Sequence, residues 1–177
     1  MSPTDGALAT VARLLDQAGV AYAVIGAHAV NAWVEPRLTA DIDVTAHADA
    51  RGINRLEKVL AGAGWSLERQ HGATQPSGPD FVRFASADRL ITLEVQTAKT
   101  DLQREVIHRA VVAEDGVRVA TPEDLIVLKL IANRPKDQAD LLALAALATI
   151  DWAYIERWAD TWGLRDALSR LRDPAPS

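Results

Sequence analysis

The segment Asp41-Ile42-Asp43 constrains this chain more than any other short stretch. Side chains alternate between the two faces of a β-strand, so both carboxylates lie on one face while Ile42 points into a core. Neighbouring carboxylates repel each other unless a cation lies between them. A hard divalent ion such as Mg²⁺ takes oxygen ligands and is usually held by one or two carboxylates plus substrate phosphates. Taken alone, the pair also fits a solvated strand end or a structural cation site.

A glycine turn precedes the two aspartates. Ala21–Ile25 is predicted as a buried strand, Gly26-Ala27 as the turn, and His28–Trp33 as a short helix. Backbone N–H groups at the start of a helix can hold a phosphate. The order of strand, glycine turn, helix, loop and second strand therefore predicts a phosphate site beside a cation site. An ordinary strand-to-helix turn is the alternative for Gly26.

Composition narrows the class of protein. The chain has 177 residues, the length of one domain or of one domain with a helical extension, and it has no cysteine. Disulfides, zinc–thiolate sites and cysteine nucleophiles are therefore excluded. The net charge of −5 lacks the basic footprint of many nucleic-acid-binding proteins, although a local basic cleft can coexist with it. Residues 1–20 lack a signal-peptide pattern and no apolar run is long enough for a membrane span, so a cytoplasmic protein without a membrane partner is expected.

The periodicity of apolar residues divides the chain into two parts. Residues 1–120 alternate between predicted helices and strands, whereas residues 121–172 contain helical patterns and no strand. The second part begins at Thr121-Pro122-Glu123-Asp124, which combines an N-cap threonine, a proline at the first position and acidic side chains in the first turn. We predict an α/β core over 1–120, a helical part packed on it over 121–172, and a frayed tail over 173–177.

The helical part carries a second group of charged residues: Lys129, Arg134, Lys136, Asp137 and Asp140. Lys129 lies in a largely apolar helix, and a buried lysine needs an anion, which a triphosphate would supply. The alternative is a side chain that runs along the surface to water. Asp137 and Asp140 can orient Lys129 or Lys136, act on an acceptor, or lie on a solvated helix face. Pro135 is predicted to break the helix and leave both sides facing one cleft.

Together these patterns resemble the polymerase-β-like nucleotidyltransferase superfamily. The segments VIGAHAVNAW, PRLTADIDV and TPEDLIVLKLIANRPKDQADLLAL are similar to the AbiEii-type toxins of type IV toxin–antitoxin systems, over roughly residues 7–146. The resemblance implies an α/β (α+β) fold with a small mixed β-sheet flanked by helices and a C-terminal helical part. It also implies transfer of NMP from a nucleoside triphosphate to an acceptor hydroxyl.

The resemblance further implies a third carboxylate on a neighbouring strand. Glu94 fits that place, because it is a charged residue in the middle of the apolar segment Ile91–Val95. Burying such a residue without a partner is costly. By resemblance, Asp41, Asp43 and Glu94 are the catalytic residues and the ligands of Mg²⁺ (or Mn²⁺), and Glu94 can take the proton of the acceptor hydroxyl.

The resemblance also implies a set of residues around the triphosphate: Gly26, Ala27, Arg37, Thr39 and Lys129. Ala27 departs from the family pattern, in which Gly-Ser or Gly-Gly is usual. With no serine hydroxyl, a phosphate contact at this turn must come from backbone N–H groups. Arg37 can contact the triphosphate, or it can pair with a carboxylate.

The acceptor is less constrained than the donor. His28 and Asn31 lie three residues apart on one helix face, where they can meet the nucleotide or the acceptor, although a lone helix histidine is more often structural. Arg134, Lys136, Asp137 and Asp140 are candidates for contacting the acceptor or supporting the metal ligands. By resemblance the acceptor is a tRNA, a protein hydroxyl or an aminoglycoside-like molecule, and the toxin likeness adds a cognate antitoxin as a partner.

A helical stripe of large residues occurs near the C-terminus, formed by Trp152, Ile155, Trp158 or Ala159, and Trp162. Packing against the helical core is one interpretation. A stacking surface for a base or an antibiotic ring is the other.

Two other interpretations of the whole chain are compatible with the sequence. The departure at Ala27 raises the alternative of a catalytically inactive module that binds nucleotide or a protein partner. An unrelated α/β protein with a chance motif is the other alternative, and it predicts that Asp41, Asp43 and Glu94 lie far apart.

Overall fold

The structure is a computed structural model that describes residues 3–75, 77–113 and 116–173. In chain order, the described elements are α1 (Pro3–Gln17), β1 (Ala21–Ile25), α2 (Gly26–Asn31), β2 (Asp41–His47), α3 (Ala50–Gly62), β3 (Ser66–His71), β4 (Phe81–Ala85), β5 (Thr92–Thr97), α4 (Asp101–Arg109), β6 (Val111–Val112), β7 (Arg118–Val119), α5 (Pro122–Ala132), α6 (Gln138–Ala145), α7 (Trp152–Trp162) and α8 (Arg165–Arg172). A short 3-10 helix over Pro135–Asp137 joins α5 to α6.

The strands form one mixed sheet in the order β3-β4-β5-β2-β1-β7-β6. β2 runs parallel to β5, and β1 runs parallel to β7. The other neighbouring pairs are antiparallel. The predicted small mixed sheet flanked by helices is confirmed.

The apolar face of the central strands packs against helices and forms the hydrophobic core. Ile42, between Asp41 and Asp43, and Leu93, next to Glu94, are both fully buried. Leu15 of α1 and Leu56 of α3 belong to the same buried cluster. The helices α1 and α3 therefore anchor the apolar side of the sheet and leave the polar positions of β2 and β5 to the opposite side.

The helical part begins and breaks where the sequence predicts. The Thr121 side chain accepts a hydrogen bond from the backbone N–H of Asp124, and Pro122 occupies the first turn of α5. The helix ends at Asn133, which adopts a left-handed conformation, and Pro135 opens the 3-10 helix that follows. This break turns the chain back, so that α6 packs against α5.

The predicted strand, glycine turn and helix are present, with a shift in the helix. The strand β1 has the predicted bounds Ala21–Ile25. The short helix predicted over His28–Trp33 begins at Gly26 and ends at Asn31.

The division of the chain at residue 120 stays a prediction. That position lies between β7 and α5, but one hydrophobic cluster includes residues from both sides of it, such as Val44 and Ile126. Of the predicted frayed tail, residues 174–177 lie outside the described residues. In the described part of the chain, no helix combines the length and the apolar character that crossing a bilayer requires.

Candidate active site

The three predicted carboxylates lie on the same face of the sheet. Asp43 and Glu94 are direct partners across the parallel pair of β2 and β5, so their side chains stand next to each other. Asp41 lies two residues before Asp43 and therefore points the same way. Its register partner Thr92 donates a hydroxyl hydrogen bond to the Asp41 carboxylate. The chance-motif reading, which required distant carboxylates, is thus not supported.

Gly26 closes this site from the side of β1. Its φ of +66° lies in the left-handed region, and a β-carbon at this position would lie 2.1 Å from Oδ2 of Asp43. A side chain here would be strained in its backbone and would collide with the carboxylate. Glycine is therefore required at position 26 for the turn to approach Asp43 so closely.

Asp43 has an unusual charge environment. Burial, together with the neighbouring charges of Glu94 and Asp41, raises the pKa of the Asp43 carboxyl to about 6. Arg134 and Lys136 act in the opposite direction but do not outweigh these effects. A carboxyl group with this pKa is partly protonated near neutral pH, and a bound cation would favour its ionised form.

Arg83 is a site residue that the sequence analysis did not predict. It lies on β4 directly opposite Glu94, and its Nη2 is 3.0 Å from Glu94 Oε1 and 3.8 Å from Asp41 Oδ1. Like Glu94, it is a charged residue in the middle of an otherwise apolar strand, Phe81–Ala85. This shared pattern could have predicted the contact, because opposite charges in neighbouring apolar strands of one hairpin tend to pair.

The three carboxylates offer the kind of ligand that a divalent cation binds, but their side chains are not arranged around a metal position. All three supply oxygen ligands from one face of the sheet, as Mg²⁺ or Mn²⁺ requires. Among the described residues, however, no group of three or more Asp, Glu or His side chains is arranged to hold a metal ion. The Arg83 guanidinium contacts two of the three carboxylates, so metal binding would require these side chains to rearrange.

A second polar centre lies on the helical side. Nζ of Lys129 is 2.9 Å from Asp137 Oδ1 and 2.8 Å from Asp140 Oδ2. All three residues are buried, with exposed fractions of 5%, 2% and 6% respectively. Lys129 therefore does not run along the surface, and the two aspartates do not lie on a solvated face. The anion that a buried lysine requires is supplied by the chain itself.

Two arginines complete this centre, which we call the lysine network: Arg37, Lys129, Arg134, Asp137 and Asp140. Arg37 donates two hydrogen bonds to Asp140, through Nε at 3.2 Å and Nη2 at 3.0 Å. Arg134 donates two to Asp137, at 2.6 Å and 3.2 Å. Burial alone would raise the pKa of each aspartate, but these hydrogen bonds and those from Lys129 hold both pKa values below the usual range. The network contains three cations and two anions, so it carries one net positive charge.

A cavity of about 280 Å³ connects the carboxylates with the helical part. Its charged lining residues are Asp43, Glu94, Lys129 and Arg134. Its apolar lining residues include Leu125, Leu128, Ile131 and Trp162. A molecule with a charged end and a flat apolar end fits such a cavity.

Comparisons with known proteins agree with this geometry. A family model described as "nucleotidyltransferase of unknown function (DUF6036)" matches residues 7–169. This chain belongs to that nucleotidyltransferase family. No protein of curated function matches it.

Solved structures share the fold of this nucleotidyltransferase. An antigenic nucleotidyltransferase-like protein from Paracoccidioides brasiliensis is 20% identical, with a TM-score of 0.57, over 94% of this chain and 90% of that protein. ANT(2″)-Ia, in complex with adenylyl-2″-tobramycin, is 14% identical, with a TM-score of 0.55, over 99% and 100% of the two chains. The CCA-adding enzyme of Thermotoga maritima, complexed with tRNA, is 9% identical, with a TM-score of 0.50, over 94% of this chain and 44% of that protein. The narrower likeness to AbiEii-type toxins stays a prediction.

The remaining predicted residues of the nucleotidyltransferase take different places. The Asn31 amide accepts a hydrogen bond from the Arg37 backbone N–H and donates one to the Arg37 carbonyl, at 3.1 Å and 2.7 Å. Asn31 thereby fixes the loop that carries Arg37. His28 is buried, Lys136 is exposed, and the Thr39 hydroxyl lies 3.5 Å from the Asp41 carbonyl oxygen.

The tryptophan stripe divides into packing residues and one cavity residue. Arg172 stacks over the Trp152 ring, and Trp158 makes an edge contact with Tyr154. Trp152 and Trp158 also pack against the hydrophobic core, as the packing interpretation predicts. Trp162 is 41% exposed and lines the cavity, and its role as a stacking surface stays a prediction.

Proposed function

We propose that this nucleotidyltransferase transfers NMP from a nucleoside triphosphate to an acceptor hydroxyl, with Mg²⁺ or Mn²⁺ held by Asp41, Asp43 and Glu94. The observation that carries the proposal is the pairing of Asp43 with Glu94 across parallel strands, with Asp41 on the same face. Burial, followed by the charges of Glu94 and Asp41, raises the pKa of the Asp43 carboxyl, and a divalent cation would relieve the repulsion among the three carboxylates.

The family resemblance supplies the proposed reaction. The acceptor oxygen attacks the α-phosphorus, the bond from that phosphorus to the bridging oxygen breaks, and pyrophosphate leaves. Glu94 takes the proton of the acceptor hydroxyl. A bound divalent cation would neutralise the charge that develops on the attacking and leaving oxygens.

The lysine network supports the assignment of the triphosphate end. The network carries a net positive charge, and two of its cations, Lys129 and Arg134, line the cavity. The side chains of Arg37 and Arg134 remain 51% exposed, so each guanidinium keeps donors free of its aspartate partner. We assign Arg37 and Arg134 to the β- and γ-phosphates. Lys129 holds Asp140 and Asp137, which in turn orient these two arginines. The backbone N–H groups of Gly26 and Ala27 are further candidates for phosphate contact.

The apolar residues that line the cavity support a place there for the nucleoside part of the triphosphate. Trp162 offers an exposed ring, and Leu128 and Ile131 supply an aliphatic wall. A nucleobase is flat and stacks on aromatic rings, so we place the base against Trp162 and the phosphates toward Asp43.

The acceptor is proposed from the charge around the carboxylates. The positive charges of Arg134 and Lys136 lie close enough to Asp43 to act on its pKa. Such groups favour a polyanionic acceptor such as RNA over a polycationic aminoglycoside. A protein hydroxyl, a role in a toxin system with a cognate antitoxin, and a cytoplasmic location stay predictions from the sequence.

A second candidate is a catalytically inactive module of the same fold. The contact of Arg83 with Asp41 and Glu94 favours it, because a permanent arginine at this place would exclude a metal. Ala27, which lacks the hydroxyl of the family pattern, favours it as well. This candidate predicts nucleotide binding without transfer.

A label-transfer assay separates the two candidates. Purified protein, Mg²⁺ and each α-labelled nucleoside triphosphate are incubated with total RNA, with cell protein or with an aminoglycoside panel. Asp43→Asn is the inactivating variant, and Asp16→Asn, at an exposed position on α1, is the matched control. Label in one fraction that is lost only in Asp43→Asn supports the enzyme and names its acceptor class. Nucleotide binding without label in any fraction supports the inactive module.

A further inference from the structure

Arg83 lies in a row of charged residues that crosses the sheet. The register places Arg69 of β3 opposite Arg83, Arg83 opposite Glu94, and Glu94 beside Asp43. Directly opposed like charges repel each other, so Arg69 pushes the Arg83 guanidinium away from the sheet edge. Glu94 and Asp41 attract it from the other side. Arg83 is therefore directed to the carboxylates by both of its neighbours.

The contacts of Arg83 are looser than those of the other arginines near the cavity. Arg37 and Arg134 each bind one aspartate through two hydrogen bonds. Arg83 makes its two ion contacts through the single atom Nη2, and its buried Nε has no hydrogen-bond partner among the described residues. A guanidinium held in this way lacks the two-point geometry that makes arginine–carboxylate pairs strong.

A metal would need oxygens of the same two carboxylates. Glu94 Oε1 and Asp41 Oδ1 contact Arg83 and are also oxygens of the carboxylates assigned to the divalent cation. An arginine contributes one positive charge, whereas Mg²⁺ or Mn²⁺ contributes two and binds oxygen directly. The two cations therefore compete for one set of ligands.

We propose that Arg83 is a built-in counter-ion, which neutralises Asp41 and Glu94 when no metal is bound and must leave them when a metal binds. This inference rests on the proposed function, because it assumes that the three carboxylates bind a metal. Arg83 then sets the metal concentration at which the site becomes competent. It acts as a positioning residue, since it holds the carboxylates and does not contact the substrate.

Mn²⁺ binding without nucleotide tests this role directly. Free Mn²⁺ is measured by electron paramagnetic resonance during titration of the wild type, Arg83→Gln and Arg83→Lys. Lys58→Gln is the matched control, since it removes one positive charge at an exposed position of α3, outside this row of charged residues. We expect Arg83→Gln to bind Mn²⁺ about five- to tenfold more tightly, in line with the loss of one competing ion pair, and Arg83→Lys to lie between.

Thermal unfolding supplies a second readout. In EDTA, Arg83→Gln leaves three carboxylates without a cation, so its Tm should fall below that of the wild type. Saturating Mn²⁺ should raise the Tm of Arg83→Gln more than it raises that of the wild type.

The outcomes separate this inference from the proposed function. Equal or weaker Mn²⁺ binding by Arg83→Gln, with wild-type binding that Asp43→Asn abolishes, overturns the counter-ion role and leaves the metal site intact. Binding by Arg83→Gln but not by the wild type supports the inference. Absence of Mn²⁺ binding in the wild type and in Arg83→Gln, even with nucleoside triphosphate present, overturns both.

Discussion

The Asp43 carboxylate occupies the space that the β-carbon of any other residue at position 26 would need. This relationship links the glycine turn to the carboxylates in one geometric requirement. It explains why the two sequence features occur together, since the turn can pass beside Asp43 only without a side chain.

Gly26→Ala should therefore be strongly impaired. The added β-carbon meets Asp43 Oδ2 at 2.1 Å in a backbone with φ of +66°, so either the turn or the carboxylate must move. We expect a loss of about 1–3 kcal/mol in unfolding free energy, because a left-handed non-glycine residue is strained. We also expect label transfer to fall by about 100-fold or more, because Asp43 is displaced. Gly62→Ala is the matched control: its added β-carbon meets no atom within 4 Å, and it should be neutral or slightly stabilising.

The stability of the metal-free protein should depend on pH through Asp43. The pKa of this carboxyl is about 6 in the folded protein, against about 3.9 in an unfolded chain. The folded protein binds the proton more tightly, so the contribution of Asp43 to stability is complete below pH ~4 and is lost as the pH rises through ~6. The full loss is about 2–3 kcal/mol. Asp43→Asn should lack it.

Urea unfolding in EDTA from pH 4 to pH 7.5 measures this effect. The difference in unfolding free energy between Asp43→Asn and the wild type should grow across that window and then level off. A difference that stays constant with pH would show that Asp43 is not perturbed in this way.

Lys129→Met should lower the unfolding free energy strongly, because Lys129 holds two buried aspartates. The change leaves Asp137 and Asp140 buried with one cation fewer, and breaking a buried pair in this way costs about 3–5 kcal/mol. Lys58→Met removes an exposed lysine of α3 and should change stability by no more than about 0.5 kcal/mol. Chemical denaturation gives both values. If Lys129→Met keeps its stability but loses nucleotide affinity, Lys129 contacts the triphosphate itself.

Trp162→Ala should weaken nucleotide binding while leaving the fold intact. The ring is 41% exposed and lines the cavity, so its removal leaves no buried void. Stacking of a base on an aromatic ring contributes about 1–3 kcal/mol, which corresponds to a rise in Kd of about 5- to 150-fold. Titration with a fluorescent nucleotide measures the change, and Trp162→Phe should recover most of the affinity. Unchanged affinity in Trp162→Ala would place the base elsewhere.

The sequence predicted those parts of the site that depend on local periodicity. Asp41 and Asp43 share a face because strands alternate. The predicted break near Pro135 is present, although α5 already ends at Ala132, with the left-handed Asn133 as its C-cap. Glu94 was placed by family resemblance. Its pairing with Asp43 depends on the register of β2 against β5, which are far apart in sequence and which no local pattern can align.

The rest of the site depends on packing between segments. The sequence left several roles open for Asp137 and Asp140, and contact with Lys129 is the one that is present. The turn at Asn133 folds the two aspartates back onto Lys129 and buries all three. Arg83 contacts the carboxylates because β4 pairs with β5, and only the assembled sheet shows that the two charged positions are opposite each other.

A crystal structure with Mn²⁺ and a non-hydrolysable nucleoside triphosphate tests the central claim most directly. The account predicts manganese coordinated by oxygens of Asp41, Asp43 and Glu94 at about 2.0–2.3 Å. The triphosphate should face Arg37 and Arg134, and the Arg83 guanidinium should have withdrawn from Glu94. Nucleotide bound with Arg83 still between Asp41 and Glu94, and with no metal on these three carboxylates, would contradict it.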